Sequence, residues 1–158
     1  MKIITPRGVR SNNPGNIEYP KVGKNGKLSR TLYVGESKGE DSRFSYFDTI
    51  VNGVRAVYMN LLHGIFNHHT DSIWEMISVW APKGENDVTA YVVHVCRLTG
   101  LSAMQTIEPT INMLGPIVHA ICVHENGGEF VLPAVFKDAW NSIDIKGLYK
   151  KYNYKEIV

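Results

Sequence analysis

The chain has 158 residues and a mass of 17.8 kDa, which favours one domain over two. Hydrophobic residues make up 44% and charged residues 20% of the sequence, a balance typical of globular proteins that excludes a disordered or fibrous chain. The 17 Lys and Arg residues against 15 Asp and Glu give a net charge of only +2, so a nucleic-acid partner is not expected.

Targeting and cross-linking signals are scarce. Two cysteines exclude a disulfide framework. No apolar run approaches the roughly 18 residues that a membrane span needs, and residues 1–14 lack the apolar run of a signal peptide. We therefore expect neither a membrane span nor a signal peptide.

Residues 14–47 are rich in Gly, Asn, Lys and Ser and predict a small antiparallel β-wing. Its β-prone pieces are Asn16–Tyr19, Arg30–Val34 and Arg43–Phe47, and Lys24–Lys27 carries the Asn-Gly signal of a tight turn. Two or three such strands are too short to form the core of the protein.

After Asp48 the apolar residues recur at helical spacing. The pattern predicts a long helix that begins near a cap at Asp48 or Thr49 and continues through Ile65. Further helices are predicted at Ser72–Trp80, Asp87–Gly100, Thr110–His124 and Leu132–Ser142. The predicted fold class is thus α+β and mostly helical, with a single domain (1–158) that comprises the wing (14–47), a helical core (48–145) and a basic aromatic tail (146–158) with at most a short helix.

Glu125 is the first candidate for chemistry. It follows Ile117, Val118 and Ile121 at helical spacing, so its carboxyl is expected on the inward face of its helix, just before the glycines that end that helix. Partial burial and the negative end of the helix dipole both raise the pKa of a carboxyl group. A carboxylic acid that keeps its proton near pH 7 suits glycosidic cleavage. The alternatives are a solvated residue of the last turn, or a buried partner of Arg10, Arg55 or Arg97.

A second feature is the Asn-rich segment from Arg7 to Ile17, which surrounds a Pro-Gly turn. Asn side chains offer both a donor and an acceptor, so the segment suits either a self-bonded turn or a surface that binds sugar hydroxyl and acetamido groups. The six histidines lack the spacing of a zinc site, and no metal or cofactor is expected.

Four segments together resemble phage and prophage lysozyme-like proteins. Residues 7–17 are similar to their RGIRNNNPGNI signature, and the likeness continues through Phe44–Phe47 with Gly53–Ala56, Trp80–Tyr91 and His124–Gly127. The resemblance implies a lysozyme-like fold related to soluble lytic transglycosylases. Because the wing here precedes the helix that ends at the Glu, a circular permutation is implied.

The resemblance also implies roles for particular residues. Glu125 would be the catalytic acid, and Glu18 is the favoured second carboxylate, although related sequences often carry Arg there and a plain strand residue is the alternative. The residues expected to bind substrate are Asn13, Asn16, Tyr46, Asn86, Tyr91 and Asn126.

The resulting hypothesis is a peptidoglycan-cleaving glycosidase, a lytic transglycosylase or a muramidase, that cuts the bond between N-acetylmuramic acid and N-acetylglucosamine. Its partners would be glycan strands and phage tail or virion proteins. It would reside in the virion, or in the host cytoplasm before release to the periplasm. The alternative is a non-catalytic virion structural or wall-binding module on the same scaffold. A weaker alternative, a nucleic-acid-associated protein, rests on the basic tail, and the small net charge argues against it.

Overall fold

The computed structural model describes residues 4–41, 43–81 and 87–156. Its elements in chain order are helix α1 (Arg7–Arg10), strands β1 (Glu36–Lys38) and β2 (Ser45–Phe47), and helices α2 (Ile50–His68), α3 (Ile73–Trp80), α4 (Val88–Thr99), α5 (Ile111–Asn126), α6 (Pro133–Asn141) and α7 (Ile145–Lys151). The protein is therefore mostly helical, with one small antiparallel sheet among the described residues, and belongs to the α+β class.

Local capping chemistry sets the bounds of the central helices. The side chains of Thr49, Ser72 and Asp87 each accept a hydrogen bond from the backbone N–H three residues later, at the starts of α2, α3 and α4. Helices α4 and α5 end at Gly100 and Gly127, which adopt the left-handed φ values of 74° and 70°. These signals are short-range, so the sequence pattern placed the helices within a few residues of their observed bounds.

The core is built around α5. Its residues Leu114, Ile117, Val118 and Ile121 have no exposed surface. Helix α4 packs against both α3 and α5, while α2 packs against α5 and α6. Within the described residues, none of the helices has the length and apolar character needed to cross a membrane.

The basic aromatic tail folds back on α2. The first part of the tail forms helix α7. After this helix, the ring of Tyr152 stacks on Phe66 of α2 with centroids 4.9 Å apart. The hydroxyl of Tyr149 donates a hydrogen bond to the carbonyl of Pro109. The aromatic residues of the tail are thus packing groups, while Lys150 and Lys151 remain exposed.

The wing has less regular strand than its sequence predicts. Strands β1 and β2 pair antiparallel with Ser37 opposite Tyr46, whereas Asn16–Tyr19 contributes only an isolated bridge between Glu18 and Phe44. The strand predicted at Arg30–Val34 is wrong. Instead of extending a ladder, the Arg30 side chain points inward and donates to Glu36 and to the Glu18 carbonyl.

Glu36 is the electrostatic anchor of the wing. Its side chain has no exposed surface and accepts two hydrogen bonds of 2.8 Å from the Arg30 guanidinium. The Tyr33 N–H and the Ser45 hydroxyl donate to the same carboxylate. Burial by itself raises the pKa of Glu36, but these donors outweigh burial and hold that pKa below its usual value.

We expect Glu36→Gln to destabilise the protein by about 2–4 kcal/mol near pH 7, because it leaves Arg30 partly buried without its counter-charge. Since the folded-state pKa of Glu36 is lowered, its contribution to the free energy of unfolding is present above the unfolded-state pKa and is lost as the pH falls. Urea unfolding of wild type and variant at about pH 7 and about pH 3 measures this difference, which should shrink in acid.

Glu129→Gln is the matched control, because it removes a carboxylate whose ion pair with His119 is exposed. It should cost about 1 kcal/mol or less. An equal loss of stability in the two variants would contradict the assignment of Glu36 as the anchor of the wing.

Candidate functional site

A groove of about 680 Å³ lies between the wing and the helical core. Asn16, Glu18 and Phe44 line it on the wing side, and Trp80, His124 and Glu125 line it on the helical side. Its volume falls within the range of roughly 300–1,000 Å³ that is typical of small-ligand sites. The groove brings together three residues that the sequence singled out as site candidates, namely Asn16, Glu18 and Glu125.

Glu125 is the penultimate residue of α5 and is partly buried in this groove. Burial raises the pKa of its carboxyl to about 7, although the neighbouring Asn16 amide and the positive charge of Arg7 act to lower it. The ion pairs formed among the described residues do not include Glu125, so the alternative of an arginine-bound carboxylate is not observed. Such a carboxyl carries its proton about half of the time at neutral pH and can act as a general acid.

Two asparagine side chains tie the N-terminal loop, residues 11–17 of the Asn-rich segment, to the end of α5. The Asn16 amide donates to the backbone carbonyl of Glu125 at 3.3 Å. The Asn126 amide donates to the carbonyls of Pro14 and Cys122, both at 2.8 Å. We call Asn16 and Asn126 the asparagine clamp, since together they hold the loop against the residue that carries the carboxyl.

Gly8 packs against the side-chain oxygens of both residues of the asparagine clamp. The side-chain oxygens of Asn16 and Asn126 are buried and accept no conventional hydrogen bond from the described residues. Both lie against the Gly8 Cα, because a Cβ added to Gly8 would lie 2.7 Å and 2.9 Å from them. Cα–H groups are weak donors to such oxygens. The position therefore accommodates only a residue without a side chain.

Asn13 is a structural residue of the loop. It is 1% exposed, and its amide donates to the carbonyls of Ile17 and Ser45, both at 2.9 Å. Its side-chain oxygen accepts from the Ile17 N–H at 2.9 Å. These bonds occupy the whole amide within the fold, so Asn13 is not free to contact a substrate. This differs from the prediction that Asn13 binds substrate.

Tyr91 and His94 both contact His124, which lines the groove. Tyr91 is fully buried, and its ring stacks on His124 with centroids 3.6 Å apart. The Nδ1 atoms of His94 and His124 are 2.8 Å apart, so one ring donates to the other. Burial and the proximity of His94 lower the pKa of His124, which is therefore neutral near pH 7. Tyr91 thus packs against a groove residue and does not line the groove itself.

His124 and Trp80 are groove residues that the sequence analysis missed. Beyond the resemblance, His124 was considered only as a metal ligand, although its position next to Glu125 was an available signal, and Trp80 was considered only as the last residue of a predicted helix. Among the described residues, no group of three or more His, Cys, Asp or Glu side chains is arranged to hold a metal ion.

Apart from Glu18, the other predicted site residues lie outside the groove or outside the described residues. Glu18 lies on the wing side of the groove and forms an ion pair with Arg43, with Oε1 2.7 Å from Nε. Tyr46 is 42% exposed and lines a different cleft, on the far side of Phe44. Asn126 belongs to the asparagine clamp and does not line the groove. Asn86 lies outside the described residues.

The fold and the site define a mostly helical α+β protein with an acid-bearing groove at the junction of its wing and core. No protein-family model matches the chain. Over 122 residues the sequence is 32% identical to Protein P5 of Pseudoalteromonas phage PM2. The matched region covers 77% of this chain and 71% of the phage protein. The chain therefore belongs to the same family as this bacteriophage protein.

We expect Gly8→Ala to lower the free energy of unfolding by about 1–3 kcal/mol, because the new methyl group overlaps the clamp oxygens. Gly115→Ala in α5 is the matched control, since its added Cβ meets only ordinary contacts of 3.6 Å and 3.8 Å. That variant should be more stable by up to about 1 kcal/mol, because Ala favours helix over Gly. Urea unfolding measures both, and a neutral Gly8→Ala would contradict the close packing at the clamp.

Glu125→Gln should stabilise the protein in alkaline solution. Because the folded-state pKa of about 7 exceeds the usual 4.5, the carboxyl favours folding at low pH and this contribution is lost as the pH rises through about 7. The neutral variant avoids that loss, so it should be more stable by about 1–3 kcal/mol above pH 8 and nearly equal to wild type near pH 4. Thermal unfolding across this pH range is the measurement.

Glu75→Gln, which removes a carboxylate outside the groove, should show no such gain in alkaline solution. A stability difference between Glu125→Gln and wild type that stays constant with pH would contradict the raised pKa of Glu125.

Proposed function

We propose that this protein is a peptidoglycan-cleaving glycosidase of phage or prophage origin that acts on the bond between N-acetylmuramic acid and N-acetylglucosamine. One observation carries the proposal: the Glu125 carboxyl, with a pKa raised to about 7 by burial, lies in an open groove of about 680 Å³. Membership in a family with a bacteriophage protein supports the phage origin.

In the proposed reaction Glu125 begins protonated and donates its proton to the glycosidic oxygen as the bond to the anomeric carbon breaks. The leaving sugar then departs as a neutral alcohol, and the positive charge that develops on the remaining sugar faces the new Glu125 carboxylate. In a transglycosylase the 6-hydroxyl of the same sugar attacks the anomeric carbon and returns a proton to Glu125. This route needs one carboxyl group only.

A hydrolase would use a second carboxylate, and we propose Glu18 of the wing for this role. It lies across the groove from Glu125, and its ion pair with Arg43 orients one carboxylate oxygen. In this route Glu18 would stabilise the sugar cation or activate the attacking water. Asn16, which lines the groove and donates to the Glu125 carbonyl, would hold the acid in position beside a bound sugar.

We further propose that the domain is lysozyme-like and circularly permuted. The acid ends a central helix and faces an antiparallel wing across a groove, as the resemblance implies, and the wing precedes that helix in the chain. The asparagine clamp supports this view, because it joins the N-terminal loop to the end of α5 and so brings the wing to the acid without a direct chain connection. The proposed partners are peptidoglycan strands and other virion proteins.

Wall clearing tests the proposal. On purified peptidoglycan, Glu125→Gln should lower the rate of clearing by a factor of about 100 or more, because no group replaces the proton donor. The wild-type rate should fall as the pH rises through about 7, where Glu125 loses its proton. Glu75→Gln should keep the wild-type rate.

Mass spectrometry of the released fragments separates the two routes, since a transglycosylase leaves 1,6-anhydro ends and a hydrolase leaves reducing ends. Equal clearing by wild type and Glu125→Gln would remove Glu125 from the mechanism. If the wild type binds the polymer without cleaving it, the protein is the non-catalytic wall-binding module instead.

A further inference from the structure

A second cleft, of about 580 Å³, adjoins the groove. It lies between α1 and the β1–β2 hairpin, and Phe44 lines both this cleft and the groove. Arg7 lines the second cleft, where its guanidinium lies 3.7 Å from the centroid of the Phe44 ring. The positive charge of Arg7 also acts to lower the pKa of Glu125.

The charged residues of the second cleft fall into two groups, those engaged by other residues of the protein and those that are not. Asp41 belongs to the first group, because it forms an ion pair with Arg7 at 3.5 Å and accepts a hydrogen bond from the backbone N–H of Phe44. Arg10, Lys38 and Glu40 are exposed, and none of them forms an ion pair with another described residue. The cleft therefore offers two cations and one anion to a ligand.

The shape of the cleft adds a less polar element. Phe44 forms its border with the groove, and Tyr46, which alternates outward on β2, is 42% exposed at the same cleft. An aromatic surface beside two cations and one carboxylate is complementary to a short peptide that carries several carboxylates, one amino group and small apolar side chains.

We infer that the second cleft binds the stem peptide attached to the muramic acid residue next to the bond that is cleaved. The inference rests on the proposed function, since it assigns the peptide of the same polymer whose sugars occupy the groove. A stem peptide bears carboxylates that match Arg10 and Lys38, an amino group that matches Glu40, and alanine methyl groups that can contact Tyr46. The cleft thus makes the protein specific for peptide-bearing glycan strands over bare ones.

The test compares two probes in the Glu125→Gln background, which allows binding without turnover. One probe is soluble glycan strands with their stem peptides, and the other is the same strands after an amidase has removed the peptides. The peptide-bearing strands should bind tighter, and adding Arg10→Gln with Lys38→Gln should weaken their binding by on the order of fivefold while leaving the bare strands unaffected. Circular dichroism checks that the variant is folded.

Arg97→Gln with Lys146→Gln is the matched control, because it also removes two exposed cations but from residues that line neither the groove nor the second cleft. It should leave both affinities unchanged. Equal affinity of the Glu125→Gln protein for the two probes would overturn the stem-peptide assignment and leave the proposed function intact. If the Arg10 and Lys38 substitutions weaken the binding of both probes equally, the stem-peptide assignment is also overturned. Failure to bind either probe would contradict the proposed function itself.

Discussion

The asparagine clamp is the constraint on which the groove depends. Asn16 and Glu125 are 109 residues apart in the chain, and their hydrogen bond joins the N-terminal loop to the last turn of α5. With Gly8 packed against both clamp oxygens, neither the loop nor the helix end can shift alone. The wing is attached to that loop through Asn13, so its position over Glu125 follows from the same small set of contacts.

Burial raises the pKa of both Glu36 and Glu125, and the number of hydrogen-bond donors around each carboxyl decides the net direction of the shift. Glu36 is fully buried yet keeps a lowered pKa, because a guanidinium, a hydroxyl and a backbone N–H all donate to its carboxylate. Glu125 is only partly buried yet has a raised pKa, because Asn16 and the more distant charge of Arg7 compensate only part of its desolvation. The first arrangement stabilises the wing. The second costs stability at alkaline pH and keeps a proton available.

Features that depend on neighbouring residues in the chain were predicted well, whereas the roles of individual polar residues were predicted less well. Glu125 was identified because helical periodicity places it on the same face as Ile117, Val118 and Ile121, and an apolar face of a helix is expected to be buried. For Asn13 and Tyr91, the residue type was compatible with both a surface role and a structural role. The choice depended on partners far along the chain, such as Ser45 for Asn13 and His124 for Tyr91.

The sequence by itself determined helices α2 to α6 and the helix-end position of the acid, because these depend on contacts within a few residues. Only the tertiary structure decided that the short segment Glu36–Lys38 is a strand, since its low β-propensity is overridden by pairing with β2 and by the Arg30 ion pair. It likewise decided which polar residues face the groove. Hydrogen bonds across the chain are set by packing, which local patterns do not encode.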